Sequence, residues 1–414
     1  MPTLNRREFL ASCGAAGSLA PGSTRAPAFK VRTLTCGPAH HFFGYYGITP
    51  WNRSGRYLAC LESDFQDHMP GPDEPARIGV VDARTGAFRA VGETRAWNFQ
   101  QGAMMHWNPV RPESEILHNE RRGDEIVSAA IDIETGRKRF LRRAINGVSR
   151  NGRHALCLTY GRLTRLRPVV GYAGARDPNP DDPHPDNDGV YVMNLATGEA
   201  RLVVTIGEVY RRLVREHPFL RERHMWFNHT VFNTDATRFF FLARCWTDPP
   251  NRRLESAMFT AALDGSGLRE VIPFGLGVSH FEWRNETEIM ATFRHNGSAM
   301  KHVLFTDGKR DYQEVGSGFL SGDGHCSFAP DQIRIATDQY VGETLSKRLL
   351  VFNLETREGV ELGSFPMRSG EFFGGDLRCD LHPRWDRTGA AICFDALETG
   401  SWTRQLHVAS LARA

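Results

Sequence analysis

The stretch "FNHTVFNTDATRFFFLAR" (residues 227–244) decides the fold prediction, because it places two apolar runs on either side of a short polar turn. Runs of β-branched and aromatic residues bounded by Asn, Asp and Gly are typical of β-strands joined by tight turns. His229 stands just ahead of the first apolar run. The same order of histidine, strand, turn and strand returns further along the chain, which indicates an internal repeat.

Polar turns of this inner type occur seven times, and a second type of turn alternates with them. The inner turns are "NRSG" (52–55), "PESE" (112–115), "SRNG" (149–152), "NTDAT" (233–237), "RNETE" (284–288), "APDQI" (329–333) and "WDRTG" (385–389). The outer turns include "DARTG" (82–86), "DIETG" (132–136) and "NLATG" (194–198). A repeat of about 40 to 60 residues with about four short strands is typical of the blades of a β-propeller.

The sequence therefore predicts an all-β fold, a seven-bladed β-propeller with four-stranded antiparallel blades, over residues 28–414. We expect the segment "FKVRTLT" (29–35) to add a strand to the last blade and so close the ring, which removes exposed strand edges. Two packed β-sandwiches are the alternative architecture, but no linker divides the chain.

Composition and charge narrow the classes of partner. The 414 residues are 41% hydrophobic and 24% charged, with a formal net charge of +3, which permits an acidic ligand without requiring one. No apolar run approaches the roughly 18 residues of a membrane helix. Basic residues are dispersed rather than interleaved with aromatic residues, so nucleic-acid binding is not predicted. The scattered cysteines lack CxxC spacing and imply no disulfide framework.

Residues 1–27 resemble a twin-arginine export signal. Arg6 and Arg7 precede Phe9 and Leu10, a short Ala/Gly-rich stretch follows, and small residues and prolines suited to cleavage come next. We therefore expect a periplasmic or secreted monomer that has no contact with the membrane once the leader is removed. A frayed basic terminus is the alternative interpretation.

Histidines recur in register with the inner turns. A step of six residues back from the acidic residue of four consecutive turns reaches His229, His280, His325 and Asp380, and His382 follows Asp380 by two residues. Because the first strand of each blade lines the channel of a propeller, equivalent positions converge at one end of it. Imidazole suits divalent metal ions. We predict a site for Mn, Zn or Ca with the ligands His229, His280, His325 and His382.

Two alternatives to this ligand set remain open. Each histidine would also be explained by a hydrogen bond to neighbouring backbone where its blade begins. Cys245 and Cys326 lie close in sequence to His229 and His325 and are second choices as ligands.

Further polar residues are expected at the same end of the channel. The first blade opens with "HHFFGYYGITPW" (40–51), which contains Tyr45 and Tyr46, and the second opens with "WNFQQGAMMHWNP" (97–109), which contains Gln101. Two insertions, residues 162–189 and 208–226, supply Tyr172 and His224. Long loops in a compact ring are usually functional covers or linkers.

With these features the chain resembles the propeller polysaccharide lyases, namely the oligogalacturonate lyases and ulvan lyases. The resemblance rests on the ring, the leader, the histidine-rich channel and the nearby Tyr and Arg residues. The blade openings "FFGYYGITPWNRSGRYL" (42–58), "VSHFEWR" (278–284), "DGHCSFAPD" (323–331) and "RCDLHPRWDRTG" (378–389) also resemble a set of exported bacterial propellers. The resemblance to the lyases is mostly one of architecture. It implies β-elimination at a uronic acid of an acidic poly- or oligosaccharide. A positive group offsets the C6 carboxylate, a base removes the C5 proton, and an acid protonates the leaving oxygen at C4.

The resemblance also suggests roles for individual residues. In oligogalacturonate lyases a metal is held by histidines and a glutamine, and Gln101 is the candidate for that glutamine. Tyr172, His224 and Arg378 are the candidates for the His, Tyr and Arg of ulvan lyases, and Tyr46 is a further catalytic candidate at the channel.

Two other functions are consistent with the sequence. Glycoside hydrolysis usually needs two carboxylates across the cleaved bond, and Asp380 is one candidate without an evident partner. A non-catalytic TolB-like periplasmic module that binds protein or peptidoglycan would not need the histidines of the ring.

Overall fold

The computed structural model describes residues 29–247 and 253–411, and it confirms the predicted seven-bladed propeller. Seven separate sheets each contain four antiparallel strands, and in six of them the strand order follows the chain. The predicted leader, residues 1–27, lies outside the described residues. Within the described part of the chain, no helix has the length and apolar character needed to cross a membrane.

The first strand closes the ring, as the sequence predicts. Strand β1 (Phe29–Thr33) pairs antiparallel with the last strand, β28 (Arg404–Leu411), in a register that joins Phe29 to Leu411 and Thr33 to His407. The seventh blade therefore contains chain from both ends of the described part, and β1 covers the edge of β28.

The first three blades follow in sequence order. Blade 1 contains β2 (His40–Phe42), β3 (Tyr57–Ser63), β4 (Ala76–Asp82) and β5 (Phe88–Thr94). Blade 2 contains β6 (His106–Trp107), β7 (Glu115–Arg122), β8 (Glu125–Asp132) and β9 (Lys138–Leu141). Blade 3 contains β10 (Ile145–Val148), β11 (His154–Cys157), β12 (Gly189–Asn194) and β13 (Ala200–Thr205).

The remaining four blades have the same organisation. Blade 4 contains β14 (Trp226–Phe232), β15 (Arg238–Trp246), β16 (Leu254–Ala262) and β17 (Arg269–Ile272). Blade 5 contains β18 (Phe281–Trp283), β19 (Glu288–Arg294), β20 (Met300–Thr306) and β21 (Gln313–Val315). Blade 6 contains β22 (Ser327–Phe328), β23 (Arg334–Val341), β24 (Ser346–Asn353) and β25 (Gly359–Pro366). Blade 7 contains β26 (Arg384–Trp385) and β27 (Ala391–Leu397) with β28 and β1.

The two predicted insertions contain the α-helices. Helix α1 (Tyr160–Leu166) and a 3-10 turn, Pro168–Val170, lie between β11 and β12. Helix α2 (Ile206–Leu213) and a 3-10 turn, Pro218–Glu222, lie between β13 and β14. Thr205 caps α2, because its side chain accepts a hydrogen bond from the backbone N–H of Glu208 at 2.9 Å. Two further 3-10 turns are Gly342–Thr344 and Gly370–Phe372.

A tryptophan at the end of the first strand joins several blades to the preceding blade. The indole N–H of Trp107 donates to the carbonyl of Pro50, that of Trp283 to Val231, and that of Trp385 to Ser327, at 2.6, 3.1 and 3.1 Å. All three rings are buried. The recurring Trp is therefore an inter-blade packing residue, and it fixes how neighbouring first strands lie around the channel.

Candidate active site

The predicted histidines lie where the first strands of four consecutive blades begin. His280 immediately precedes β18, His325 lies two residues before β22, and His382 lies two residues before β26. His229 differs, because it lies inside β14 at a bulge between Asn228 and Val231. His229 and His382 have φ angles of 56° and 44°, a conformation that non-glycine residues keep only when the surrounding structure holds them there.

Three of the four histidines are called the histidine cluster below, because the ring of His325 contacts those of both other members: His280, His325 and His382. The ring centroids of His280 and His325 are 3.8 Å apart, and those of His325 and His382 are 4.3 Å apart. One ligand atom each from His325, His382 and Asp380 lies within 4.8 Å of the others, and all three residues are buried. The convergence predicted from the repeat is therefore found for these three rings.

Carboxylates fix the orientation of two rings in the histidine cluster. The Nδ1–H of His280 donates to Asp323 at 2.8 Å, and the Nδ1–H of His325 donates to Asp338 at 2.8 Å. Burial alone would raise the pKa of Asp338, but His325 beside it gives a net lowering, so the carboxylate stays ionised. Both Nε2 atoms remain available as ligands, an arrangement that is usual for histidines that bind metal.

His382 adds an orphaned nitrogen to the histidine cluster. Its Nδ1 is buried and has no hydrogen-bond partner among the described residues. Burial, and then the charge of His325, hold the pKa of His382 well below the usual range, so the ring is neutral. A neutral imidazole with an unpartnered buried nitrogen is suited to a metal ligand, because a bound cation would satisfy that atom. The residues present therefore fit a divalent cation.

Asp380 is the most heavily contacted carboxylate beside the histidine cluster. It accepts hydrogen bonds from Tyr340 and Lys347, and from Arg378 Nε at 2.8 Å. Burial opposes ionisation, but Arg378 and Lys347 hold the pKa of Asp380 well below its usual value. A carboxylate that stays ionised in this way does not suit the general acid of a glycoside hydrolase. Sequence reasoning missed Lys347, which is fully buried in β24.

His229 is held by a different set of contacts. Its Nδ1 lies 3.2 Å from Tyr45 Oη and 3.3 Å from the side-chain nitrogen of Gln101, and its ring packs against Tyr45 and Phe281. Burial, followed by the charge of Arg244, holds the pKa of His229 well below 6.5. The ring is therefore neutral and able to accept a proton. The predicted metal ligand His229 has no ring contact with the histidine cluster.

Arg244 is a buried cation without a counter-ion, and sequence reasoning missed it. Only 7% of the residue is exposed, and within the described residues its guanidinium forms no hydrogen bond or ion pair. Burial lowers the pKa of Arg244 to about 9, with the charge of Arg167 as the next cause. Buried charges are normally paired. The available signal was a basic residue inside the apolar run "RFFFLARCW" (238–246).

Three of the five predicted catalytic residues contact these groups. Gln101 approaches His229, and Arg378 pairs with Asp380. The Tyr46 ring lies 5.8, 5.1 and 6.0 Å from His280, His325 and His382, and its hydroxyl accepts a hydrogen bond from the backbone of Phe281. Tyr46 is thus a buried ring that packs against all three members of the histidine cluster.

The other two predicted catalytic residues contact the first insertion instead. Tyr172 is fully buried, stacks on Tyr160 with centroids 4.3 Å apart, and accepts a hydrogen bond from Asn119 at 3.2 Å. His224 Nδ1 accepts a hydrogen bond from Arg165 at 3.2 Å. These contacts hold the insertion on the propeller and do not join the two residues to the histidine cluster.

The cysteines considered as second-choice ligands are protonated thiols. Burial raises the pKa of Cys245 to about 12 and that of Cys326 well above its usual range. Metals bind the thiolate rather than the thiol. The seven cysteines of the described residues are all free, in agreement with the absence of a predicted disulfide framework.

The fold and the site together define a seven-bladed propeller with a histidine cluster at one end of its channel, and known structures share the fold. The oligogalacturonate lyase of Vibrio parahaemolyticus aligns over 93% of this chain and 94% of its own, with 12% identity and a TM-score of 0.63. An oligogalacturonate lyase in complex with manganese aligns over 94% and 95%, with 14% identity and a TM-score of 0.65.

The likeness to known proteins is one of fold. The tricorn protease also aligns, over 87% of this chain and 33% of its own, with 9% identity and a TM-score of 0.50. No protein-family model and no curated protein sequence matches this chain. Because identities of this size show only a shared architecture, function has to be argued from the site.

Proposed function

We propose that this protein is an exported lyase that cleaves an acidic, uronate-containing glycan by β-elimination. The observation that carries the proposal is the buried guanidinium of Arg244, which has no counter-ion among the described residues and whose charge lowers the pKa of His229. A buried guanidinium without a counter-ion and a neutral imidazole are the two groups that proton abstraction next to a carboxylate requires.

Arg244 is the proposed binding group for the substrate carboxylate. The C5 proton of a uronate is weakly acidic, because its removal places further negative charge next to a carboxylate. A guanidinium can form two parallel hydrogen bonds to a carboxylate and offset that charge. The unpaired state of Arg244 also means that no internal carboxylate has to be displaced when the substrate binds.

His229 is the proposed base. Its Nδ1 contacts Tyr45 and Gln101, so Nε2 is the atom left to face a substrate. The side-chain oxygen of Gln101 is buried without a partner, and the amide oxygen and nitrogen can exchange places by rotation. In the exchanged orientation Nδ1–H donates to Gln101 Oε1, which fixes the tautomer whose Nε2 accepts a proton. Gln101 is then a positioning residue.

His280, His325 and His382 are the proposed ligands of a divalent cation, with Asp323 and Asp338 orienting two of them. Ligand atoms of His325, His382 and Asp380 lie within 4.8 Å of one another, so Asp380 is a further candidate ligand. When bound, such a cation stabilises negative charge that develops on a carboxylate oxygen. Three imidazole donors favour manganese or zinc over calcium, which takes oxygen ligands.

The experiment that tests the proposed function is a spectroscopic assay. The protein is incubated with a panel of uronate polysaccharides and oligosaccharides, with manganese, zinc or chelator, and the absorbance of the 4,5-unsaturated product is followed. We expect absorbance to rise on at least one uronate glycan and to be lost in His229→Ala. No rise on any acidic glycan, with metal supplied and the protein folded, would refute the lyase and favour the non-catalytic binding module.

A further inference from the structure

A cavity in the channel lies beside Tyr45 and Tyr46 and away from the histidine cluster. Its volume is about 450 Å³, and the two tyrosines line it, whereas none of the four predicted ligand histidines does. Its walls are formed by residues that follow those histidines along the first strands, such as Glu282 after His280. The cavity therefore runs from the middle of the channel to the inner turns at the opposite end, and we call it the far cavity.

Four arginines from the inner turns of four blades line the outer part of the far cavity, and a fifth, Arg384, is paired with Asp395. The four are Arg53 in blade 1, Arg150 in blade 3, Arg284 in blade 5 and Arg387 in blade 7. Each lies in or directly beside the inner turn of its blade, so the repeat itself brings them to one end of the channel. Arg53, Arg150 and Arg387 are exposed, which places their guanidinium groups at the opening.

The positive charge of these arginines is largely uncompensated. Within the described residues, the Arg53 and Arg150 side chains have no hydrogen-bond or ion-pair partner. Arg387 donates only to the backbone carbonyls of Trp51 and Asn52, both at 3.0 Å. Arg284 alone has a carboxylate, Glu288, at 3.4 Å. An array of guanidinium groups without counter-ions is suited to an anion, which can accept paired hydrogen bonds from them.

The interior of the far cavity has different chemistry. The carboxyl group of Glu282 lines it without a hydrogen-bond or ion-pair partner among the described residues. The Nε2 atom of His106, also in the lining, is buried without a partner. Carboxyl and imidazole groups of this kind bind hydroxyl groups, because a hydroxyl can both donate and accept. An occupant would thus place its charge at the arginines and its hydroxyl groups further in.

We propose that the far cavity is a second binding site, separate from the histidine cluster, for an acidic sugar whose carboxylate lies against Arg53 and Arg150. A volume of about 450 Å³ is within the range of small-molecule sites and suits one or two sugar units. Binding in the far cavity does not involve the histidine cluster, so it can be tested independently of the proposed lyase activity.

The test measures binding by calorimetry in an Arg244→Ala background, which removes the proposed carboxylate ligand at the other end of the channel. The probes are galacturonate, neutral galactose and inorganic sulfate. We expect galacturonate to bind with a stoichiometry of one. Arg53→Ala and Arg150→Ala should each weaken it about tenfold, since each removes a charge-assisted contact. Arg137→Ala is the matched control, an exposed arginine next to an outer turn whose side chain has no hydrogen-bond or ion-pair partner in the described part of the chain.

Each outcome decides the proposal. Absence of galacturonate binding in the Arg244→Ala background overturns the proposed sugar site. Equal affinities of Arg137→Ala, Arg53→Ala and Arg150→Ala for galacturonate overturn it as well. Sulfate binding as tight as that of galacturonate would reduce the far cavity to a simple anion site and refute the sugar. Glu282→Gln distinguishes a sugar site from a simple anion site. It should weaken the binding of galacturonate and leave the binding of sulfate unchanged or tighter. Thermal unfolding of each variant confirms that the ring is intact.

Discussion

The imidazole rings of His280 and His325 lie 3.8 Å apart between centroids, and each donates its Nδ1–H to a carboxylate of its own. Neither Nε2 atom makes a hydrogen bond within the described residues, which leaves both open to a cation. Asp323 and Asp338 supply the negative charge that would balance it. The arrangement accounts for the histidines better than isolated hydrogen bonds to backbone, because neither Nδ1 is used that way.

The orientation of His280 should matter for metal affinity. Asp323→Asn keeps the shape of the side chain but removes the charge that polarises His280, so we expect the affinity for manganese or zinc to fall about 10- to 100-fold. Equilibrium dialysis with elemental analysis measures the change. Asp264→Asn, in an exposed turn of blade 4, is the control and should bind metal as the parent does. Equal affinities for the two variants would show that His280 is not a ligand.

Replacing Arg244 should make the protein more stable and less active. Replacing the unpaired buried guanidinium with the apolar side chain in Arg244→Met removes a desolvated charge, so we expect the free energy of unfolding to rise by about 1–3 kcal/mol. The same variant should lose about 100- to 1,000-fold in kcat/KM on a uronate glycan. The kcat/KM of Arg244→Lys should lie between that of the parent and that of Arg244→Met, because lysine keeps the charge but not the paired hydrogen bonds.

Thermal unfolding measures the stability of the Arg244 variants, and initial rates on the same preparations measure their kcat/KM. Arg84→Ala, an exposed arginine of an outer turn, is the control and should change neither quantity. If Arg244→Met unfolds more easily than the parent, the guanidinium has a structural role and cannot be the substrate ligand described above.

Gln101 should act through the pKa of His229. Burial and Arg244 hold that pKa below 6.5, and a base works only when it is neutral, so kcat/KM should fall only as the pH drops well below 6.5. Gln101→Glu places an anion beside Nδ1, which favours the protonated ring and should move this acidic limb to higher pH. Gln101→Ala should lower kcat without moving the limb. A pH profile of kcat/KM that is identical in all three proteins would contradict the positioning role.

The fold was predictable because its determinants are local. Each inner turn and the apolar runs around it can be recognised without knowing the other blades, and ring closure then follows from the strand at Phe29–Thr33. The gathering of His280, His325 and His382 follows from the same symmetry, because equivalent positions on successive blades meet at the channel.

The rest of the site depends on features that break the repeat. His229 lies at a bulge and makes no ring contact with the histidine cluster, and a bulge is set by the pairing of two strands rather than by either sequence alone. Tyr172 and His224 lie in long insertions whose placement no periodicity determines. Arg244 and Lys347 are basic residues within apolar strands, and only the structure shows that both point inward.

Asp395 holds the last blade to the first and so closes the ring. Its carboxylate accepts hydrogen bonds from Arg384 and Arg404 at 2.7 Å each, and from the backbone N–H groups of Phe43 and Gly44 at 3.4 and 3.3 Å, which joins blade 7 to blade 1. Asp395→Asn leaves two buried guanidinium groups without their counter-ion, so we expect a loss of about 3–5 kcal/mol in the free energy of unfolding.

The pH dependence of that loss identifies its cause. Burial alone would raise the pKa of Asp395, but Arg384 and Arg404 lower it below its value in the unfolded chain, which is about 3.9. The ion pairs therefore contribute fully above about pH 4, and their contribution disappears as the pH falls through the pKa of the folded state. Denaturant unfolding of the parent and of Asp395→Asn should give curves that differ most near neutral pH and converge in acid. Glu361→Gln, which breaks the solvent-exposed pair with Arg348, should cost at most about 1 kcal/mol at any pH. A difference for Asp395→Asn that stays constant down to pH 2 would mean that shape, and not charge, holds the last blade to the first.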